Sequence, residues 1–233
     1  MGSARVVFWD FDGTLARRRD LWAGAVRDAL NAVAPGREVA SKDLGAALSR
    51  GFPWHSPEIV VPPRSPEHWW AALRPVFLCA YEAVGVPLDI AERAAKQISA
   101  DFYRVDAWEV IPGAEDALQI IRALGYENVI LSNHGPELPQ LVESLGLSRW
   151  ITLTISSAAV GAEKPHPRIF EYALAVSHAG PDTWMVGDNP VADISGACRA
   201  GIRAILADGI YEDSVGGVTV LHAAEQIRSS SAR

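Results

Sequence analysis

Two aspartates separated by one residue, Asp10 and Asp12, stand at the end of the apolar run Val6-Val7-Phe8-Trp9, and Gly13-Thr14 follows them. A buried strand that delivers carboxylates to its C-terminal edge reads this way. Side chains alternate along a strand, so the two acids share a face if strand geometry persists, whereas a turn at Gly13 redirects the second. Two anions this close require a cation or a proton. Further polar groups end later apolar runs: Ser132-Asn133 after Asn128-Val129-Ile130-Leu131, and Gly187-Asp188 after 183–186. Ligands of open parallel sheets bind beyond the carboxyl ends of the strands, where groups distant in sequence meet. Asp10, Asp12 and Asp188 offer hard oxygen donors without cysteine or imidazole, a set suited to Mg²⁺, which leaves room for water and a phosphate. The chemistry expected of them is metal-assisted phosphoryl transfer.

The elements that must hold these residues follow from pattern. Residues 20–33 read as an amphipathic helix with Asp20 as N-cap, and 41–50 as a shorter one. Five prolines within 52–66 predict a loop. Helices are expected from Pro66 to about Val84 and over 89–103, completing a block without a convincing strand. From Val110 short apolar runs alternate with helical segments, the signature of a parallel sheet with crossover helices. Helices are expected at 115–124, 137–145, 167–177 and 193–200, strands at 128–131, 151–155, 183–186, 202–206 and 218–221, and a frayed tail over 229–233. The fold class is α/β, a Rossmann-like parallel sheet with flanking helices, formed by 1–15 and 110–233, with a small all-helical domain over 16–109.

Composition sets the class. The chain has 233 residues, 49% of them hydrophobic and 21% charged, as a globular domain does. Its net charge of −7 opposes electrostatically driven nucleic-acid binding. No apolar run reaches the roughly 20 residues of a membrane span, and Met1–Arg5 leads straight into the first strand without a secretory signal, so a cytoplasmic address is expected. Cys79 and Cys198 lack metal-ligand spacing and are expected in the core as small apolar residues. Nothing in the pattern distinguishes a monomer from a homodimer.

Asp10-Phe11-Asp12-Gly13-Thr14, Ser132-Asn133, Lys164-Pro165 and Gly187-Asp188-Asn189-Pro190-Val191-Ala192-Asp193 resemble, in order, the four motifs of the haloacid dehalogenase superfamily of hydrolases. The helical stretch between the first and second motifs resembles the cap of its phosphatase and dehalogenase subgroup. The resemblance implies that Asp10 attacks phosphorus to form an aspartyl-phosphate and that Asp12 protonates the leaving alkoxide and later deprotonates water. It implies that Ser132 and Lys164 hold the phosphoryl group, with Asn133 beside them. Asp10, the backbone carbonyl of Asp12, and Asp188 would hold Mg²⁺, with Asp193 and Asn189 supporting.

Each residue also has a plainer reading. Asp10 and Asp12 can form a turn, Ser132 and Asn133 can cap a helix while still offering N–H groups to an anion, and a lone lysine is usually a solvated charge. His134 and His166 adjoin motif residues and are weighed as substrate contacts. Trp54, Trp69 and Trp70 are expected to pack rather than to form a substrate shelf. Arg17 of the basic run Arg17-Arg18-Arg19 is a candidate grip for a second anionic group of a small phosphorylated substrate. Within the superfamily, a 2-haloacid dehalogenase and a phosphonate hydrolase fit Asp12 poorly, a phosphosugar mutase shares both aspartates, and a catalytically silent interaction protein would not need the complete motif set.

Overall fold

The computed structural model describes residues 3–209 and 216–231, so the expected fraying of Ala232 and Arg233 lies outside the described residues. In chain order the elements begin with β1 (Ala4–Trp9), β2 (Ala16–Arg18), α1 (Leu21–Val33), α2 (Ser41–Ala47), α3 (Pro66–Ala83), α4 (Leu88–Ala95) and α5 (Ile98–Phe102). They continue with β3 (Trp108–Val110), α6 (Ala114–Ala123), β4 (Glu127–Ser132), α7 (Leu138–Ser144), β5 (Leu153–Ser156), α8 (Ser157–Val160) and α9 (Pro167–Val176). The last are β6 (Ala179–Gly187), α10 (Gly196–Arg199), β7 (Arg203–Leu206) and α11 (Val220–Ser231). The chain divides into two compact units: Met1–Arg17, Pro57–Pro63 and Glu109–Arg233, and separately Arg18–Ser56 with Arg64–Trp108.

The first unit is built on a five-stranded sheet in the order β5-β4-β1-β6-β7. Every pairing in it is parallel. Val6, Val7, Phe8 and Trp9 are all fully buried, which explains why β1 reads as an unbroken apolar run: helices cover a central parallel strand on both faces. On one face Val6 and Phe8 pack with Val129, Leu131, Met185 and the α9 residues Ile169 and Phe170. Trp9 instead donates its indole N–H to Asn128 Oδ1 at 2.9 Å, and Asn128 donates in turn to the Leu118 carbonyl. Trp9 pairs with Ile130 on one side and Val186 on the other, so β1, β4 and β6 end nearly level. The chain leaves β1 in opposite directions across the sheet for its two neighbours, the kind of crevice where such sheets bind ligands.

The second unit is all-helical apart from the end of β2 and the start of β3. Trp22 of α1 anchors it, stacking on Phe102 with ring centroids 4.0 Å apart and touching Phe52, Trp54, Trp69, Trp70 and Phe77. The three expected packing tryptophans therefore do pack. The guanidinium of Arg18 is buried beneath α1, donating to Asp28 and to the carbonyls of Arg19, Leu21 and Asp101. Gly24 makes room for it, since a Cβ there would lie 2.4 Å from the Arg19 carbonyl and 2.5 Å from an Arg18 nitrogen.

Several local expectations change. Asp20 makes no side-chain cap on α1, because its carboxylate is drawn to Arg27 at 2.8 Å. The helix expected over 89–103 breaks into α4 and α5 around Lys96-Gln97. The strand expected at 218–221 reduces to one bridge between Ala207 and Val218, after which α11 runs through Ser231. Both cysteines are exposed rather than buried in the core. Pro57–Pro63, expected inside the helical block, lies in the first unit, where Val61 N–H bonds the Gly161 carbonyl at 2.9 Å and Val60 packs on the sheet core. Among the described residues no helix is long and apolar enough to cross a membrane.

Candidate active site

Lys164 is the centre of the site. Its side chain is 2% exposed, and its ammonium donates three hydrogen bonds: to Asp10 Oδ1 at 2.7 Å, the Leu131 carbonyl at 2.8 Å and Asp193 Oδ1 at 2.6 Å. An ammonium has three hydrogens, so this donor is saturated and its direction is fixed. Burial opposes its charge, but the two carboxylates overcome that penalty and hold its pKa above the ordinary lysine value. The three partners come from the ends of β1 and β4 and from the turn after β6, so one cation ties together three segments distant in sequence.

Asn133 holds that lysine by its backbone, accepting from Lys164 N–H at 2.6 Å and donating to the Lys164 carbonyl at 2.9 Å. Expected beside a phosphoryl group, its amide here clamps the loop that carries the cation. Ser132 is buried at the last position of β4, one strand over from Asp10.

Gly187-Asp188 ends β6, and the chain then forms one wide π-type turn over Pro190–Ser195 before α10. Such turns recur at functional sites. Asn189 caps it, its Oδ1 accepting from Val191 N–H at 3.0 Å and Ala192 N–H at 2.9 Å. Asp193, 1% exposed, sends Oδ1 to Lys164 and accepts the Asn189 N–H on Oδ2 at 2.9 Å. Asn189 is thus occupied with backbone, and Asp193 is the rear support of the lysine. A Cβ at Gly187 would sit 2.3 Å from Asp193 Oδ2. Gly187→Ala is expected to displace Asp193 from Lys164, lowering stability by about 1–3 kcal/mol, as urea unfolding would show, and reducing activity with it.

Asp10, Asp188 and Asp193 each bring a carboxylate oxygen within 4.8 Å of one another. Three acids thus face one ammonium, and the excess charge is visible in their proton affinities. Burial, then the neighbouring Asp10 and Asp193 charges, push Asp188 up to about 7. Burial raises Asp193 to about 6 in spite of the lysine. A hard divalent cation would relieve this crowding, and the donor set fits one. With both Asp193 oxygens already engaged, Asp10 and Asp188 are the residues best placed to hold it. Asp193 lies within this group and the Asp12 carboxylate outside it, while Asp12 was expected to reach the metal through its backbone carbonyl.

Asp12 differs from Asp10 in environment. Its Oδ1 is buried and accepts no hydrogen bond among the described residues. Burial first, then the charges of Asp10 and Asp188, raise its pKa well above the ordinary aspartate value. A carboxyl of raised proton affinity stands two residues from a carboxylate bonded to an ammonium, the division of labour that two-step acyl or phosphoryl transfer needs.

The remaining candidates have other partners. Arg17 pairs with exposed Glu109, at 2.9 Å from Nε and 2.8 Å from a terminal nitrogen. Arg18 is buried with Asp28. His166 caps α9, Nδ1 accepting from Arg168 N–H at 3.1 Å. Glu163, which the sequence did not bring forward, is 5% exposed, and burial pushes its carboxyl up to about 7. The one local hint was an acid set directly before the only lysine in an otherwise apolar loop.

A sequence model of the haloacid dehalogenase-like hydrolases matches residues 4–201. The Homo sapiens haloacid dehalogenase-like hydrolase domain-containing protein 3 is 31% identical over 226 residues, covering 91% of this chain and 87% of that protein. The Thermus thermophilus phosphoserine phosphatase is 36% identical over 129 residues, covering 54% of this chain and 50% of that protein. Among solved structures, the putative HAD-hydrolase YfnB of Bacillus subtilis, determined bound to magnesium, superposes with a TM-score of 0.72 at 16% identity, covering 97% and 99% of the two chains.

Proposed function

The chain belongs to the haloacid dehalogenase-like hydrolase family, and on that footing we propose that it is a Mg²⁺-dependent phosphatase of small phosphorylated metabolites, working through an aspartyl-phosphate. The observation that carries this reading is the contrast between Asp10, bonded to the lysine, and half-buried Asp12, whose proton affinity is raised. The reaction of a dehalogenase has no alkoxide to protonate and gives Asp12 no task. The phosphatase name of the Thermus thermophilus relative points to the same reaction class.

In the first step Asp10 Oδ2 attacks phosphorus, and the bond from phosphorus to the substrate alcohol breaks. Lys164 fixes the attacking carboxylate through its other oxygen. Asp12 gives its proton to the departing oxygen. In the second step water attacks the phosphoryl group, Asp12 takes the proton, and the bond between phosphorus and Asp10 breaks to release inorganic phosphate. The Ser132 hydroxyl donates to a phosphoryl oxygen in both steps. Mg²⁺, held by Asp10, Asp188 and the Asp12 carbonyl, would supply charge neutralisation and bring the anionic substrate to an anionic nucleophile.

Phosphate release from an aryl phosphate and from members of a phosphorylated-metabolite panel should require Mg²⁺ and cease on chelation. Silence across the panel in both Mg²⁺ and Mn²⁺, or halide release from 2-chloropropionate instead, would overturn the reading. Thermal shift offers a second check. Because the folded-state pKa values of Asp188 and Asp193 are raised, the folded protein binds extra protons, and their stabilisation is complete below about pH 4 and is lost as pH rises through about 6 to 7. Mg²⁺ competes with those protons, so its gain in Tm should be larger at pH 7.5 than at pH 5.5. Asp188→Asn should abolish that gain while raising the Tm of the metal-free protein at pH 7.5.

A further inference from the structure

The buried Asp12 Oδ1 has a neighbour that the mechanism above does not use. Nε2 of His134 stands 3.7 Å from it, on a side chain that is 1% exposed. The contacts around His134 favour this aim. Phe11 meets the imidazole edge-on, with ring centroids 5.8 Å apart and planes at 83°. Nδ1 lies 3.4 Å from the Gly135 carbonyl. Behind the ring, His134 N–H donates to Ser157 Oγ at 3.1 Å, while Ser157 Oγ and Ala158 N–H both donate to the His134 carbonyl. These bonds hold the backbone that carries the ring beside Asp12.

We infer that His134 is a positioning residue for Asp12: its imidazole sets the rotamer of the carboxyl so that the oxygen away from the ring is presented to the leaving group. The ring does this without adding charge, since burial pushes its pKa down to about 4 and keeps it neutral at pH 7. Considered from sequence as a substrate contact, His134 instead faces the acid two residues beyond the nucleophile. The role rests on the phosphatase reading and deepens it.

The leaving group supplies the test. An aryl oxide departs with little need of a proton, whereas an alkyl alkoxide needs one, so general-acid catalysis, worth about 10²–10⁴-fold, acts mainly on alkyl esters. Single-turnover release of p-nitrophenol and of an aliphatic alcohol from their phosphates should be measured with wild type, His134→Leu and His134→Gln. The ratio of the two rates within one preparation cancels any inactive fraction. The expected result is a loss for the alkyl ester roughly tenfold or more beyond that for the aryl ester in His134→Leu, partly restored in His134→Gln, which returns a polar N–H. Equal losses on both esters would leave His134 only a packing role and overturn the inference. A wild-type protein that cleaves neither ester would overturn the phosphatase reading, and this role with it. Should His134→Leu not fold, the same ratio in His134→Gln, displaced from or equal to the wild-type value, decides.

Discussion

Asp10→Asn should abolish turnover, by roughly 10⁴-fold or more, while leaving the Tm of the metal-free protein at or above the wild-type value. The two halves of this result have one cause. A carboxamide is no nucleophile toward phosphorus, so no aspartyl-phosphate forms. Its Oδ1 still accepts the Lys164 hydrogen bond, and one of the three crowded carboxylates has gone. Residual phosphate release and differential scanning fluorimetry on the same preparation check both. A variant that kept its activity would remove Asp10 from the chemistry, and one that lost its fold would show that the carboxylate is structural.

Lys164→Met has the opposite signature, losing activity and stability together. The thioether fills much of the lysine volume but donates nothing, leaving Asp10 Oδ1, Asp193 Oδ1 and the Leu131 carbonyl without their shared partner. Removing one member of a buried ion pair costs about 3–5 kcal/mol, because the remaining charge is uncompensated. Activity should fall roughly 10³-fold with the loss of charge stabilisation at the phosphoryl group. The stability loss should depend on pH. Without the ammonium the folded-state affinity of Asp193 for protons rises further above its already raised value. The folded variant then takes up protons that the unfolded chain does not, and its deficit relative to wild type grows from pH 5 to pH 8. Urea unfolding at both pH values measures this, and a constant deficit would show that lost packing dominates.

The parts of the site that a reader of the sequence can find are those fixed by strand ends. Parallel strands buried on both faces carry unbroken apolar runs, so the polar residue that ends each run marks the ligand edge of the sheet. That logic finds Asp10, Ser132 and Asp188. It does not say which polar groups hold one another. Asn133 reads equally well as a phosphate ligand or a helix cap, and its bond to the backbone of Lys164 spans 31 positions with no periodicity to announce it. Asp193 reads as a supporting acid because it lies five residues beyond Asp188. The wide turn over Pro190–Ser195 carries it back onto the lysine. The break between α4 and α5 was hidden for a different reason: Lys96-Gln97 are good helix formers and carry no stop signal.

The return of Pro57–Pro63 to the sheet unit bears on how this protein can be recombined. A chimera that exchanges residues 16–109 as a single cassette would carry away Val60 and Val61 and replace them with a segment unadapted to Gly161, where even a Cβ would lie 1.9 Å from the Val61 carbonyl oxygen. Specificity grafts from a relative should therefore be made as two separate pieces, 18–56 and 64–108, with the native heptapeptide between them retained.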